Sequence, residues 1–359
     1  MFRCTKCGSE YLDFRYTCAR CDSALLLEDH PKSWEPAGAS MWRYRSMIPV
    51  GMSISLYEGN SPLVMRRDSK DEVFLKVEGD NPTGSFKDRG STVVISDAHN
   101  RGFKTATVAS TGNMGASVAA YCAYANVASK VFIPQGVPEE KVAQITAYGA
   151  ELVPVEGGFS QAVIRARQEA EAGAYLASSG LNPYFIEGLK TIAFELYEQL
   201  GVPDKIVVPT GTGGLLTAVF KGFREMRDLG LIDRLPQMIA VQSSEVAPIV
   251  EAWRENREPS PPPQKVNTIA SAILVKSPFN GLSAIDAMRR SGGYGLTVTD
   301  HQILQAIKEL GREGVFAEPA AAASMAALEQ VDRKADDRVV LMVTGSGLKD
   351  PNVVLRRDI

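Results

Sequence analysis

From Val73 onward the chain alternates short apolar runs with amphipathic stretches, and this rhythm limits its possible folds more than any other feature. Eight runs read as strands: 73–78, 105–109, 130–134, 151–154, 205–208, 237–241, 294–298 and 338–343. Helical patterns of roughly 10–17 residues lie between most of them. Strands alternating with helices mean βαβ units, hence a mainly parallel sheet with helices on both faces. In such a sheet ligands gather beyond the C-terminal ends of the strands. The loops that follow the strands are therefore where the chemistry belongs.

The first such loop is Gly79-Asp80-Asn81-Pro82-Thr83-Gly84-Ser85-Phe86-Lys87-Asp88-Arg89-Gly90. Asn81-Pro82 and Thr83-Gly84 are turn dipeptides. Ser85 reads as the N-cap of a helix over 86–100. Lys87 then sits in the first turn, where the helix dipole disfavours a cation. A disfavoured ammonium suits a lysine whose neutral amine must form a Schiff base. A solvated lysine at a helix start is the plainer account of the position alone.

Three more loops carry unusual residues. Ser110-Thr111-Gly112-Asn113-Met114-Gly115-Ala116-Ser117 combines hydroxyls, a glycine turn and a helix start. It reads as a carboxylate site or as an ordinary capped turn. Pro209-Thr210-Gly211-Thr212-Gly213-Gly214-Leu215 has three glycines in four positions. Backbone N–H groups can converge there on a phosphate, although a plain tight turn uses the same residues. It is neither a Walker loop nor the dinucleotide fingerprint. Thr344-Gly345-Ser346-Gly347 places a glycine-flanked hydroxyl where a flat ring could approach.

The 359 residues suggest two ordinary domains and a small appendage. A net charge of −3 gives no basic field for nucleic acid or an anionic membrane. No apolar run reaches the ~20 residues of a membrane span, and the N-terminus lacks a signal-peptide core. The expectation is a cytoplasmic protein acting on a small molecule. Cys4, Cys7, Cys18 and Cys21 form two Cys-x2-Cys knuckles. That spacing fits a tetrahedral S4 site with structural zinc; iron and disulfides are the competitors. Four thiolates leave no open coordination position, so such a metal is structural. Cys122, on a helix after the Asn113 loop, reads as core. Trp34, Trp42 and Tyr44 are expected to pack a connector, about 31–51, onto the main body. Residues 258–264 form a Pro-rich loop.

Together these pieces resemble the fold type II pyridoxal-phosphate enzymes, and within them the threonine synthase family. The Cys4 knuckles, the 81–90 stretch and Ser110-Thr111-Gly112-Asn113 carry the likeness. So do Ile269-Ala270-Ser271-Ala272-Ile273, Gly314-Val315-Phe316-Ala317-Glu318-Pro319-Ala320 and Thr344 to Pro351. The resemblance implies a tryptophan synthase β-like fold of two open twisted α/β domains with an N-terminal Cys4 zinc ribbon. It implies a ribbon over 1–30, a large domain over 31–91 and 185–359, and a smaller mobile domain over 92–184. Lys87 would be the Schiff-base lysine and proton shuttle, with Phe86 beside it. Asn113 would bond the ring hydroxyl, and Gly211, Thr212, Gly213, Gly214 and Leu215 would hold the cofactor phosphate. Thr344 would face the pyridine nitrogen. Ser110, Thr111 and Asn113 would take the substrate carboxylate. A homodimer converting O-phospho-L-homoserine and water to L-threonine and phosphate is implied.

The sequence departs from the family in its substrate-phosphate residues and at Met114, where the family has threonine after the loop's asparagine. The family carries an Asn-Ser pair and an arginine that help hold the substrate phosphate. Here those positions read Ser179-Gly180 and Phe185. A phenyl ring cannot replace a guanidinium on phosphate. Ser178, Ser179 and Lys190 are candidate substitutes. The alternatives are β-elimination or β-replacement on another amino acid, as in a cysteate-synthase-like enzyme or a threonine/serine dehydratase. Another γ- or β-substituted substrate, or a non-enzymatic cofactor-binding or ribbon-mediated interaction protein, also stays open.

Overall fold

A computed structural model describes residues 1–30, 32–67, 72–263 and 266–355. Pro31 at the start of the expected connector and Gln264 at the end of the Pro-rich loop lie outside them. The chain forms two compact units. One is Met1–Asn60 with Asn81–Leu189; the other is Ser61–Asp80 with the chain from Lys190 onward.

The second unit holds a six-stranded sheet. Its order is Gly295–Val298, Gln237–Ser243, Lys205–Pro209, Val339–Val343, Val73–Val77 and Leu63–Met65. All pairs are parallel except the last. Val339–Val343 is buried throughout, as a parallel strand covered on both faces must be. Leu63–Met65 is an antiparallel edge strand in register with Val73–Val77. The apolar face of Asp300–Arg312 closes one side, and a Thr299–Gln302 capping box starts that helix. The helix Pro319–Ala326 is followed by a short 3-10 turn at Leu328–Gln330.

The first unit holds a parallel sheet ordered Glu151–Val155, Ala128–Pro134, Thr105–Ala109 and Tyr175–Leu176. The helix Lys87–Asn100 is buried from Asp88 to Ala98, so its polar residues need internal partners. Thr92 Oγ1 receives Trp42 Nε1–H at 2.9 Å and donates to Ile54 O. Trp42, Met41, Ile48 and Val50 pack with Val93, and Trp34 stacks on Tyr44. The connector's aromatics thus bind it to this helix.

The sequence expectation grouped 31–91 with 185–359. In the structure residues up to Asn60, the Lys87 helix and the helix Pro183–Leu189 all belong to the first unit. Two glycines account for this. A Cβ on Gly188 would lie 1.9 Å from Arg89 O, and one on Gly90 would lie 2.5 Å from the Phe185 ring. The two helices approach as closely as backbones allow.

At the N-terminus Phe2–Cys4 pairs antiparallel with Glu10–Tyr11 and Leu25–Leu27. Its core is only Phe2, Cys4, Cys18, Leu25 and Leu27, with a few half-buried neighbours. No helix among the described residues is long and apolar enough to cross a membrane.

Candidate active site

Lys87 is the first residue of its helix, in agreement with the sequence expectation. The capping differs. Ser85 makes no side-chain cap; its Oγ is buried without a hydrogen-bond partner. Asp88 does that work instead. Its fully buried carboxylate accepts Thr83 N–H at 2.7 Å, Thr83 Oγ1–H at 2.6 Å and Ser117 Oγ–H at 2.6 Å. The carboxylate, placed in the first turn, favours the dipole that Lys87 opposes. Through Ser117 it also ties the Lys87 helix to the helix Asn113–Tyr124. Sequence reasoning passed over Asp88; its signal was an acid in the first turn, two residues after an aromatic.

Lys87 Nζ lies 4.5 Å from the Phe86 ring centroid and 5.6 Å from that of Phe185. Phe185 is fully buried, so no cation occupies the position where one was expected. Lys190, a candidate substitute, is fully buried and pairs with Glu225 at 2.8 Å. Ser178 and Ser179 are half-buried, and Ser178 Oγ accepts Gly180 N–H.

Asn113 is buried at the start of its helix, after Gly112 and with no side-chain cap. Ser110 Oγ accepts Gly112 N–H at 3.2 Å, which folds the loop over Thr111. A Cβ on Gly115 would lie 2.8 Å from Ser110 O, so this turn requires glycine there. Behind it Tyr121 donates to Glu58 at 2.7 Å. Burial, and then the field of Asp88 and Glu58, holds that phenol protonated. Cys122 is enclosed, and burial pushes its thiol up to about 12, which fits a packing role.

In the second unit, Gly211–Gly213 links Lys205–Pro209 to the helix Gly214–Asp228. Gly213 has φ of 90°, and a Cβ there would lie 2.6 Å from Asn280 O. Asn280 N–H fixes the loop by donating to Thr212 O at 2.9 Å. The helix has no side-chain cap, so its first turn offers backbone N–H donors to an anion. Thr344 is buried at the end of Val339–Val343. The next residue is Gly345, where a Cβ would lie 2.5 Å from the Glu318 carboxylate. Glu318 N–H donates to Gly345 O at 3.1 Å, so Glu318 shapes the Thr344 turn as well as preceding the helix at Pro319.

The four knuckle cysteines converge. Cys4 and Cys21 Sγ are 3.5 Å apart, as are Cys7 and Cys18, and Cys7 and Cys21 are 3.6 Å apart. Those separations exceed the ~2.05 Å of a disulfide.

Residues 54–345 match the family described as pyridoxal-phosphate dependent enzyme, and the chain belongs to that family. It is 39% identical to the threonine synthase of Methanocaldococcus jannaschii over 99% of this chain and 94% of that one. It is 41% identical to the threonine synthase of Mycobacterium tuberculosis H37Rv over 87% and 89% of the two chains. Such likeness over nearly whole chains places it among the threonine synthases as a family. Among solved structures it superimposes on maize serine racemase with a TM-score of 0.68 at 23% identity, covering 80% of this chain and 88% of that one. Threonine deaminase isoform 2 of Solanum lycopersicum gives 0.69 at 21%, covering 89% and 95%. These confirm the fold type II architecture.

The residues fit the family's cofactor. The glycine cradle at an uncapped helix suits its phosphate, and Thr344 offers a neutral hydroxyl. Gly213→Ala should cost at least tenfold in pyridoxal-phosphate affinity, measured by absorbance titration, because it strains φ and collides with Asn280. Unchanged affinity would place the phosphate elsewhere.

Proposed function

We propose that this chain converts O-phospho-L-homoserine and water to L-threonine and phosphate. The observation that carries the proposal is Lys87 at the start of a helix held by buried Asp88, in a chain of threonine synthase family membership. Pyridoxal phosphate bound there supplies an electron sink beside the substrate amine. Lys87 would hold the cofactor and, when free of it, would carry protons between successive substrate carbons. Asn113 orients the cofactor ring, and Gly211, Thr212, Gly213, Gly214 and Leu215 bind its phosphate. Ser110, Thr111 and the uncapped start of the Asn113 helix bind the substrate carboxylate. Thr344 is a neutral partner for the pyridine nitrogen. A hydroxyl does not enforce protonation there, which favours elimination and replacement over transamination.

A second reading has its own observation. Phe185 is apolar and buried, and Lys190 is committed to Glu225. Neither offers a substrate phosphate a cation, which favours β-elimination or β-replacement on an unphosphorylated or differently phosphorylated amino acid. One assay separates the two. Purified holoenzyme with O-phosphohomoserine should release threonine and phosphate in equal amounts. No threonine, with keto acid formed from serine or threonine, would overturn the synthase reading.

The cysteine cluster is proposed to hold structural zinc. A regular tetrahedron with ~2.3 Å Zn–S bonds has edges of about 3.8 Å, near the observed sulfur separations. Backbone N–H groups of Lys6 and Cys7 point at Cys4 Sγ, and that of Arg20 at Cys18 Sγ, each at 3.4 Å. Such donors stabilise thiolate ligands. Metal analysis should find one zinc per chain; stoichiometric iron would contradict this. The family likeness also carries a homodimeric, cytoplasmic setting as part of the proposal.

A further inference from the structure

The helix Pro183–Leu189 touches both the cysteine ribbon and the Lys87 helix. On one face Tyr184 stacks on Phe14 of the ribbon, with ring centroids 5.0 Å apart and planes 15° apart. Tyr184 also meets Phe2 edge-on at 5.8 Å. Glu187, three residues on and therefore on the same face, has Oε2 3.3 Å from Nε2 of His30, just past the ribbon's last strand. Phe185 and Gly188 pack on the Lys87 helix. They meet Gly90 and Arg89, and the Phe185 ring stands 5.6 Å from Lys87 Nζ.

We infer that the ribbon is a positioning device for the Lys87 amine. Phe14 and Phe2 pack on Tyr184, which also meets the Met41, Trp42, Ile48, Val50 and Val93 cluster, and the residue after Tyr184 faces Lys87. The cysteines Cys4, Cys18 and Cys21 share one apolar cluster with Phe2, Phe14 and Tyr184. A ribbon with so small a core depends on its metal for folding. Loss of that order therefore reaches Tyr184 directly.

The quantity transmitted is the distance from an aromatic face to an amine. A ring face attracts an ammonium, so Phe185 favours protonated Lys87. The charged and titratable groups around Lys87 in this unit are Asp88 and Arg89 on its own helix. Tyr121 lies on the Asn113 helix and bonds Glu58, and Glu187 lies beyond Phe185. Asp88 is bonded to Thr83 and Ser117, and Glu58 to Ser55, Leu56 and Tyr121. These bonds belong to neither the ribbon nor Tyr184, so they persist when the ribbon loosens. On the far side Arg101 lies 4.6 Å from Phe14 and 6.0 Å from Tyr184, prolonging the stack.

This inference takes its importance from the reading of Lys87 as the cofactor lysine, but its test needs no cofactor. Cofactor-stripped protein is acetylated with acetic anhydride across a pH series, and the Lys87 peptide is quantified by mass spectrometry. Phe185→Leu keeps apolar volume but removes the ring, and should lower the labelling midpoint by about half a pH unit. Phe14→Leu should lower it too, and should add nothing in a Phe185→Leu background, as expected when one contact acts through the other. Phe14→Tyr should retain the parental midpoint. Chelating the metal from unsubstituted protein should reproduce the Phe14→Leu shift. Arg167→Ala removes the ribbon's bidentate pair with Asp22, away from Tyr184, and should leave the midpoint unchanged. A Phe14→Leu or chelated protein that melts earlier yet labels as the parent would overturn the inference. So would shifts that add in the double variant.

Discussion

The Asp88 carboxylate is the interaction on which the proposed chemistry depends. It is fully buried, and a buried charge survives only where donors surround it. Thr83 supplies two and Ser117 a third. One group therefore fixes the turn before the Lys87 helix, the start of that helix, and the helix that begins at Asn113. Because these elements surround Lys87, the amine's place follows from the carboxylate's need for partners. Close packing adds the rest. Gly90 and Gly188 let two helices meet at backbone distance, and the Phe185 ring fills the space beside Lys87.

Much of this was legible in the sequence because periodicity reports burial. The eight expected strands all occur, within one or two residues of their expected ends, because most are rich in apolar residues that the sheets bury. The glycine loop was legible for a different reason: Gly213 occupies a left-handed conformation that side chains avoid. What escaped was pairwise. Ser85 had the right chemistry for a cap, but the contest between Ser85 and Asp88 is settled by what lies opposite each. Ser117, 29 residues from Asp88, decides it. Leu63–Met65 has no alternation of its own and is ordered by its neighbour. The grouping of the Lys87 helix with the four-stranded sheet likewise rests on Gly188, a residue unremarkable in sequence.

The contacts proposed for cofactor and substrate are mostly neutral: the Thr344 hydroxyl, the backbone of the glycine loop, and Ser110, Thr111 and Asn113. In that proposal such a set binds by dipoles and leaves Lys87 as the group that exchanges protons. Phe185 extends the pattern by replacing a positive charge with a π face. It offers no charge to negative substrate groups and sets an aromatic ring 5.6 Å from the Lys87 amine. On the proposed function, the substrate therefore meets an apolar surface where the arginine-bearing members present a cation.

The central claim is that Lys87 carries the cofactor, and it can be read from one peptide. Holoenzyme reduced with borohydride and digested should show a pyridoxyl-phosphate mass added to the peptide containing Lys87. A label on another lysine, such as Lys76 or Lys190, or no label in protein that retains the cofactor's colour, would contradict the account.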